Sequence, residues 1–363
     1  MVSELSHPIP ATPHGFVFND KPWLVYWEAT QACNLVCRHC RANAQCDHDP
    51  NELDYDEGVE LLRSIRRFGD SAPHLVITGG DPLKRSDLFD LISEAKKLEI
   101  PVSLAPSVTD LMDESLFPIL RALGISAISL SLDGVTAANH DGIRGVPGCF
   151  DRTLDMARAA VACGLPVQIN TLVTAETRSD LEPMARLMSD LGITRWSLFF
   201  LIQVGRGSVL PQLMPDDAEE LMEWLAEWTP TLPYQVKTTE APHFRRVLVQ
   251  RLLEKGWTMS QIRELPMTRG FGVRDGNGIL FVSHTGEINP SGFLPLSAGN
   301  VRDDDLVDVY RNGPLFNELR SPSRFQGKCG RCQYRMICGG SRARAYAATG
   351  DPSESDPLCP YQP

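Results

Sequence analysis

No stretch of the 363 residues is apolar for long enough to span a bilayer. The first twenty residues have no basic start followed by an apolar run, so they are not a secretory signal. With neither segment present, a cytoplasmic location and no membrane contact are the expectation, and the ten cysteines then sit in a reducing compartment where disulfides are rare. Positive charge is in deficit: the formal net charge is -11 and the pI near 5.3. That argues against a nucleic-acid partner, which requires a basic face to displace counterions from phosphates. There is no internal repeat and no low-complexity tract, which excludes solenoids and disordered arrays.

What is present points to a large α/β unit followed by a smaller one. From Leu24 onward, short apolar runs alternate with segments of helical period, the pattern of parallel strands joined by crossover helices. Six strands are predicted, at Leu24–Thr30, His74–Gly80, Val102–Ser107, Ala127–Asp133, Val167–Val173 and Arg195–Ile202, which makes a partial (β/α)6 barrel. After Ile202 four prolines bracket an amphipathic segment at Ala218–Trp228, and the glycine-punctuated run ending at Asn289 reads as a β-hairpin. The expected division is an N-terminal arm at 1–23, the barrel at 24–205, a helical linker at 206–268 and a C-terminal module at 269–363.

In a parallel barrel the functional groups come from the carboxyl ends of the strands. Cys33, Cys37 and Cys40 follow the first strand within eight residues, and three thiolates on one short loop leave the fourth iron of a four-iron cluster open to an outside ligand. Zinc is the alternative, but its sites more often pair thiols two to four apart with a distant second pair. A second group, Cys329-x2-Cys332-x5-Cys338 with Cys359, supplies four thiolates and suits either zinc or a closed four-iron cluster. Cys46, Cys149 and Cys163 read as small buried hydrophobes.

The CxxxCxxC loop resembles that of the radical S-adenosylmethionine superfamily over residues 24–202, with further motifs falling in order. The resemblance implies a [4Fe-4S] cluster on Cys33, Cys37 and Cys40, S-adenosylmethionine on its open iron, and reductive cleavage to a 5′-deoxyadenosyl radical that abstracts hydrogen from substrate. It places His39 near the adenine and Gly79-Gly80-Asp81-Pro82 at the methionine amino group, as a GGEP-type motif with Asp for Glu. Ser131, Asp133, Arg144 and Asn170 fall where members contact the cofactor's ribose and carboxylate; a strand-end hydrogen bond or surface charge is the alternative for each.

CxxCx5C with a late cysteine is similar to the C-terminal signature of the SPASM and twitch enzymes, which implies an auxiliary [4Fe-4S] cluster on Cys329, Cys332, Cys338 and Cys359. The chain departs from the full SPASM pattern: Arg342 stands where one further cysteine would be, so one auxiliary cluster is expected. The wording of Leu75–Leu83, Arg144–Gly148 and Thr239–His243 is similar to that of the radical enzymes of alternative haem and haem d1 biosynthesis.

The implied enzyme takes a small-molecule substrate and an electron donor such as flavodoxin or ferredoxin. Radical tailoring of a small metabolite, by epimerisation, oxidation, rearrangement or sulfur insertion, is the favoured expectation. Tetrapyrrole side-chain modification and ribosomal-peptide maturation are the alternatives, the last weakened by the roughly 23 residues before the first strand, too few for an independent leader-binding core. A cluster-bearing electron carrier or sensor is the non-enzymatic one. Lys328, Arg331, Arg335, Arg342 and Arg344 either offset a negative cluster or meet the carboxylates of a tetrapyrrole. Glu240, His243 and Arg245 are candidate substrate contacts, or equally a linker terminus.

Overall fold

A computed structural model describes residues 18–363; the remainder of the N-terminal arm, residues 1–17, lies outside the described residues. All six expected strands form: β1 Leu24–Glu28, β2 His74–Thr78, β3 Val102–Leu104, β4 Ala127–Ser131, β5 Val167–Val173 and β6 Arg195–Phe200. They pair in sequence order and in parallel. Several stop two or three residues before the apolar pattern does, because the backbone there turns into loops at the barrel mouth.

The helices alternate with the strands: α1 Tyr55–Arg66, α2 Leu88–Lys97, α3 Leu116–Leu123, α4 Ala137–Arg144, α5 Cys149–Ala162 and α6 Leu181–Leu191. Local chemistry explains their limits. Asp54 and Glu57 form a reciprocal capping box that starts α1, and Val59, Leu61, Leu62 and Ile65 give it a buried face. Gly124 and Gly192 end α3 and α6 in the left-handed conformation that other residues resist.

The segment read as a helical linker does contain helices, α7 Pro215–Trp228, α8 Phe244–Glu254 and α9 Met259–Arg263. It also contains a strand that the sequence reading lacks, β7 Gln235–Thr239, parallel to β6. No residue of Gln-Val-Lys-Thr-Thr is buried, so there is no apolar face to betray it. The free edge of β6 decides its pairing.

The expected hairpin is β8 Ile279–Val282 and β9 Glu287–Asn289, joined by β10 Gly299–Asn300. Its first strand pairs in parallel with β1, so one ten-stranded sheet runs β10-β9-β8-β1 through β7. The C-terminal segment is therefore bonded along the barrel's first edge. One hydrophobic cluster includes Val25 and Trp27 of β1, Leu280 and Val282 of β8, and Tyr310, Phe316 and Leu358 beyond. Short helices follow: α10 Leu306–Asn312, α11 Pro314–Leu319, α12 Gly327–Arg331 and α13 Arg342–Thr349. Among the described residues no helix is long and apolar enough to cross a membrane.

Candidate active site at the barrel mouth

The loop leaving β1 is pinned at its base, where the Cys33 N–H donates to the Gln45 carbonyl at 2.6 Å. Each thiol in it meets a donor. The backbone N–H of Leu35 lies 3.3 Å from Cys33 Sγ, that of Ala44 is 3.4 Å from Cys40 Sγ, and Arg144 Nη1 is 3.7 Å from Cys37 Sγ. Ser107 Oγ adds a contact to Cys33 at 3.5 Å. Burial pushes the metal-free Cys33 thiol up, whereas these donors favour the sulfur once ionised, as iron ligation requires.

Gly79 and Gly80 close the opposite side. Added side chains would bring Cβ within 2.5 Å of the Thr30 carbonyl oxygen at Gly79 and 2.4 Å of that of Ala32 at Gly80. The glycines thus let the turn after β2 lie directly on the chain entering the cysteine loop, where Gly80 N–H bonds Thr30 O and Asp81 N–H bonds Ala32 O, both at 2.7 Å. Asp81 is not on the cavity wall. Fully buried, it accepts from Leu83 N, Ser107 N and Thr109 Oγ1 and braces the turn.

The third wall is a charged cluster at the ends of β4 and α4. Asp133, fully buried, pairs with Arg144 at 2.6 Å and accepts from Leu172 N at 2.8 Å. Burial alone would raise its pKa, but Arg144, His39, His140 and that N–H hold the carboxyl below the usual range. His39 and His140 are held neutral by burial and the Arg144 guanidinium, each down to about 4. Arg144 thereby touches a carboxylate and a cysteine-loop sulfur at once, and among the described residues its Nε has no partner.

A cavity of about 220 Å³ lies between these walls, lined by all three cysteines, His39, Gly79, Gly80, Ser131, Asp133, Arg144 and Asn170. Of the residues expected there, Asp81 and Pro82 stand outside it. Two charged wall residues were missed, Arg41 and Arg206. Arg41 pairs with the buried Glu28 at 2.7 Å and stacks on Phe281, while Arg206 Nε and Nη2 are buried and, among the described residues, without partner. Arg206 had a signal in the sequence, since Gly205 and Gly207 bracket it just after β6; Gly205 packs against the carbonyls of Cys40 and Arg41. Phe293 reaches the same cavity from the C-terminal segment, and no local pattern announces that.

The second cysteine group encloses a separate small cavity, lined by Cys329, Cys332, Cys338 and Cys359. Backbone N–H groups of Asp356, Tyr334 and Gly340 lie 3.4 Å from the first three sulfurs, and Arg246 Nη2 is 3.7 Å from Cys359 Sγ. Arg342 and Arg344, expected either to offset a cluster or to line a substrate mouth, are fully buried. Arg344 pairs with Asp356 at 3.4 Å and donates to the carbonyls of Glu240 and Leu201, tying α13 to the end of β6. Local basic density does not reveal whether a guanidinium turns in or out; here both turn in.

Glu240, His243 and Arg245 are not on the barrel cavity either. Glu240 accepts from Ser341 Oγ at 2.5 Å, Arg245 donates to the carbonyls of Val273 and Ile337, and His243 is fully buried. Burial holds His243 neutral, down to about 4. These residues form the polar seam between barrel and C-terminal segment.

The family model described as Radical SAM superfamily matches residues 27–188. The chain is 36% identical to the AdoMet-dependent heme synthase of Oleidesulfovibrio alaskensis, over 94% of this chain and 87% of that one. It is 28% identical to the pre-heme d1 synthase of Dinoroseobacter shibae, over 99% and 90%. Among solved structures, Streptococcus suis SuiB bound to S-adenosylmethionine superposes with a TM-score of 0.73 at 19% identity, over 94% of this chain and 78% of that one. The chain belongs to the radical S-adenosylmethionine superfamily, whose enzymes use a [4Fe-4S] cluster and S-adenosylmethionine, and its architecture is that of the SPASM and twitch members.

Proposed function

We propose that this enzyme modifies a tetrapyrrole side chain in haem-type biosynthesis. The observation that carries the reading is the 36% identity to a heme synthase across nearly the whole of both chains, joined by the likeness to a pre-heme d1 synthase over equal length. It displaces the small-metabolite reading that the sequence favoured. Arg206, with two unpartnered guanidinium nitrogens on the cavity wall, suits a substrate bearing several carboxylates.

In this reading Cys33, Cys37 and Cys40 hold the cofactor-binding cluster, which with S-adenosylmethionine supplies the hydrogen-abstracting radical. Gly79 and Gly80 would offer backbone to the methionine amino group, Arg144 would hold its carboxylate, Ser131 and Asn170 would bind the ribose, and His39 would pack by the adenine. Asp133 holds the Arg144 guanidinium in place, and Asp81 keeps the glycine turn against the cysteine loop. Cys329, Cys332, Cys338 and Cys359 hold the auxiliary cluster. Four thiols lining one small cavity suit a cluster ligated by four thiolates. A low-potential one-electron donor such as flavodoxin or ferredoxin completes the system.

The test is anaerobic incubation of the reconstituted protein with S-adenosylmethionine, reductant and iron coproporphyrin III, followed by mass spectrometry. A product of haem mass that rises with 5′-deoxyadenosine is expected. Release of 5′-deoxyadenosine at a rate indifferent to the porphyrin, with no new porphyrin formed, would sink the assignment.

A further inference from the structure

Around the C-terminal cysteine cavity the fold buries more positive charge than it pairs. Arg342, with no exposed surface, donates to the carbonyls of Gly340, Pro352 and Glu354 at 3.3, 2.9 and 2.7 Å, and its Nη2 lies 3.7 Å from Cys329 Sγ. Arg274, also buried, donates to the carbonyls of Gly272 and Leu319. Arg245 spends its donors on the carbonyls of Val273 and Ile337, beside Cys338. Among the described residues none of these three guanidiniums has an ion pair, whereas their neighbours Arg246 and Arg344 are matched by Glu219 and Asp356.

Two further carboxyl groups are near. Asp275 is buried, with Oδ2 taken by the N–H groups of Arg342 and Ala343. Glu240 is pushed well above the usual carboxyl range by burial and by Asp275, which weakens it as a counter-charge. Three guanidiniums therefore face at most two carboxyl groups, and at least one is left unmatched. Burying unmatched charge is strongly unfavourable, so the arrangement calls for an anion among them.

The backbone is shaped to bring the cations to the sulfurs. Gly339 and Gly340 follow Cys338 with φ of +76° and +68°, a region that other residues resist. A Cβ on Gly340 would lie 2.5 Å from Arg342 Nη2 and 3.1 Å from Cys329 Sγ, and one on Gly339 would lie 3.0 Å from Arg274 Cδ. Glycine at both positions is what lets the guanidiniums close in.

The geometry points to Arg245, Arg274 and Arg342 as the buried counter-charge of an iron–sulfur cluster held by Cys329, Cys332, Cys338 and Cys359, raising its reduction potential. The inference rests on the reading of those four cysteines as cluster ligands. A four-thiolate cluster is a dianion when oxidised and a trianion when reduced, so unmatched positive charge favours the reduced form, and net charge and hydrogen bonds to sulfur are among the levers that set such potentials.

The test uses the full chain with Cys33→Ala, Cys37→Ala and Cys40→Ala, so that only the C-terminal site can hold iron. Iron content and an anaerobic redox titration followed by electron paramagnetic resonance are measured with Arg245, Arg274 and Arg342 changed singly to Gln and to Lys. In the Gln variants the reduction equilibrium should move at least tenfold toward the oxidised form, about 59 mV for one electron, and in the Lys variants less. Loss of iron in the Gln but not the Lys variants also supports a charge requirement. An unmoved potential with iron retained overturns the proposal, as do Lys variants that shift or lose iron as far as Gln. Absence of iron in the parent triple variant would instead refute the cluster reading itself.

Discussion

Arg144 gathers the chemistry of the mouth into one side chain, pairing with Asp133 at 2.6 Å and reaching Cys37 Sγ. Both charges are almost wholly buried, at 9% and 1% exposure. Replacing Arg144 by Met would strand Asp133 without a counter-charge, which typically costs about 3–5 kcal/mol. Urea unfolding of Arg144→Met, of Asp133→Asn and of the double variant forms the cycle that checks this. The double variant should lose much less than the sum of the singles; strict additivity would mean that the two groups do not interact. This site was half legible beforehand. The cysteines, the glycine pair and Arg144 stand in motifs whose spacing carries the chemistry. Asp81 sits in such a motif yet faces the interior as a brace, and a motif does not say which way a side chain turns.

At the scale of elements, α13 joins the two halves of the molecule. Ser341 caps it through the Arg344 N–H at 3.0 Å and also donates to Glu240 at 2.5 Å, while Arg344 reaches back to the carbonyls at the end of β6. Loss of a cap of this kind typically costs about 1 kcal/mol, and here a buried carboxyl also loses its donor. Ser341→Ala should therefore lower the urea midpoint by more than a cap alone, whereas Ser341→Thr, which keeps the hydroxyl, should restore most of it. Equal loss in both would show that packing matters and the hydroxyl does not. The barrel strands were readable because each is an apolar run with a buried face. β7 was not, since its polar residues take their place from the edge of β6.

For the molecule as a whole, acid is the expected weakness. His39, His140 and His243 are held neutral near 4, against about 6.5 in an unfolded chain. Between those values the unfolded chain binds protons that the fold refuses, so stability is full above about pH 6.5 and falls as pH drops toward 4. Glu240 works the other way, since the fold keeps its proton above the unfolded value and gains as pH falls from its raised pKa toward that value. Three large histidine shifts against one large carboxyl shift leave a net loss on the order of 1–3 kcal/mol per pH unit, with the smaller lowering of His74 adding to it and the smaller raising of Asp81 and His284 opposing it. The anaerobic thermal midpoint should fall from pH 7 to pH 5, and His243→Leu should flatten the slope. A midpoint constant over that range would show that the histidines are not buried neutral.

The sequence by itself determined the six barrel strands, the C-terminal hairpin and both cysteine groups, because periodicity and spacing are local properties that survive in one dimension. Tertiary structure alone decided that β8 pairs with β1, that Phe293 reaches the barrel cavity from the other end of the chain, and that Arg342 and Arg344 turn inward. Each of these depends on what a distant segment places opposite: an open strand edge, an apolar wall, or sulfurs and carbonyls able to receive a buried guanidinium. A basic run has the same letters on a surface and in a core; only the partners it meets after folding distinguish the two.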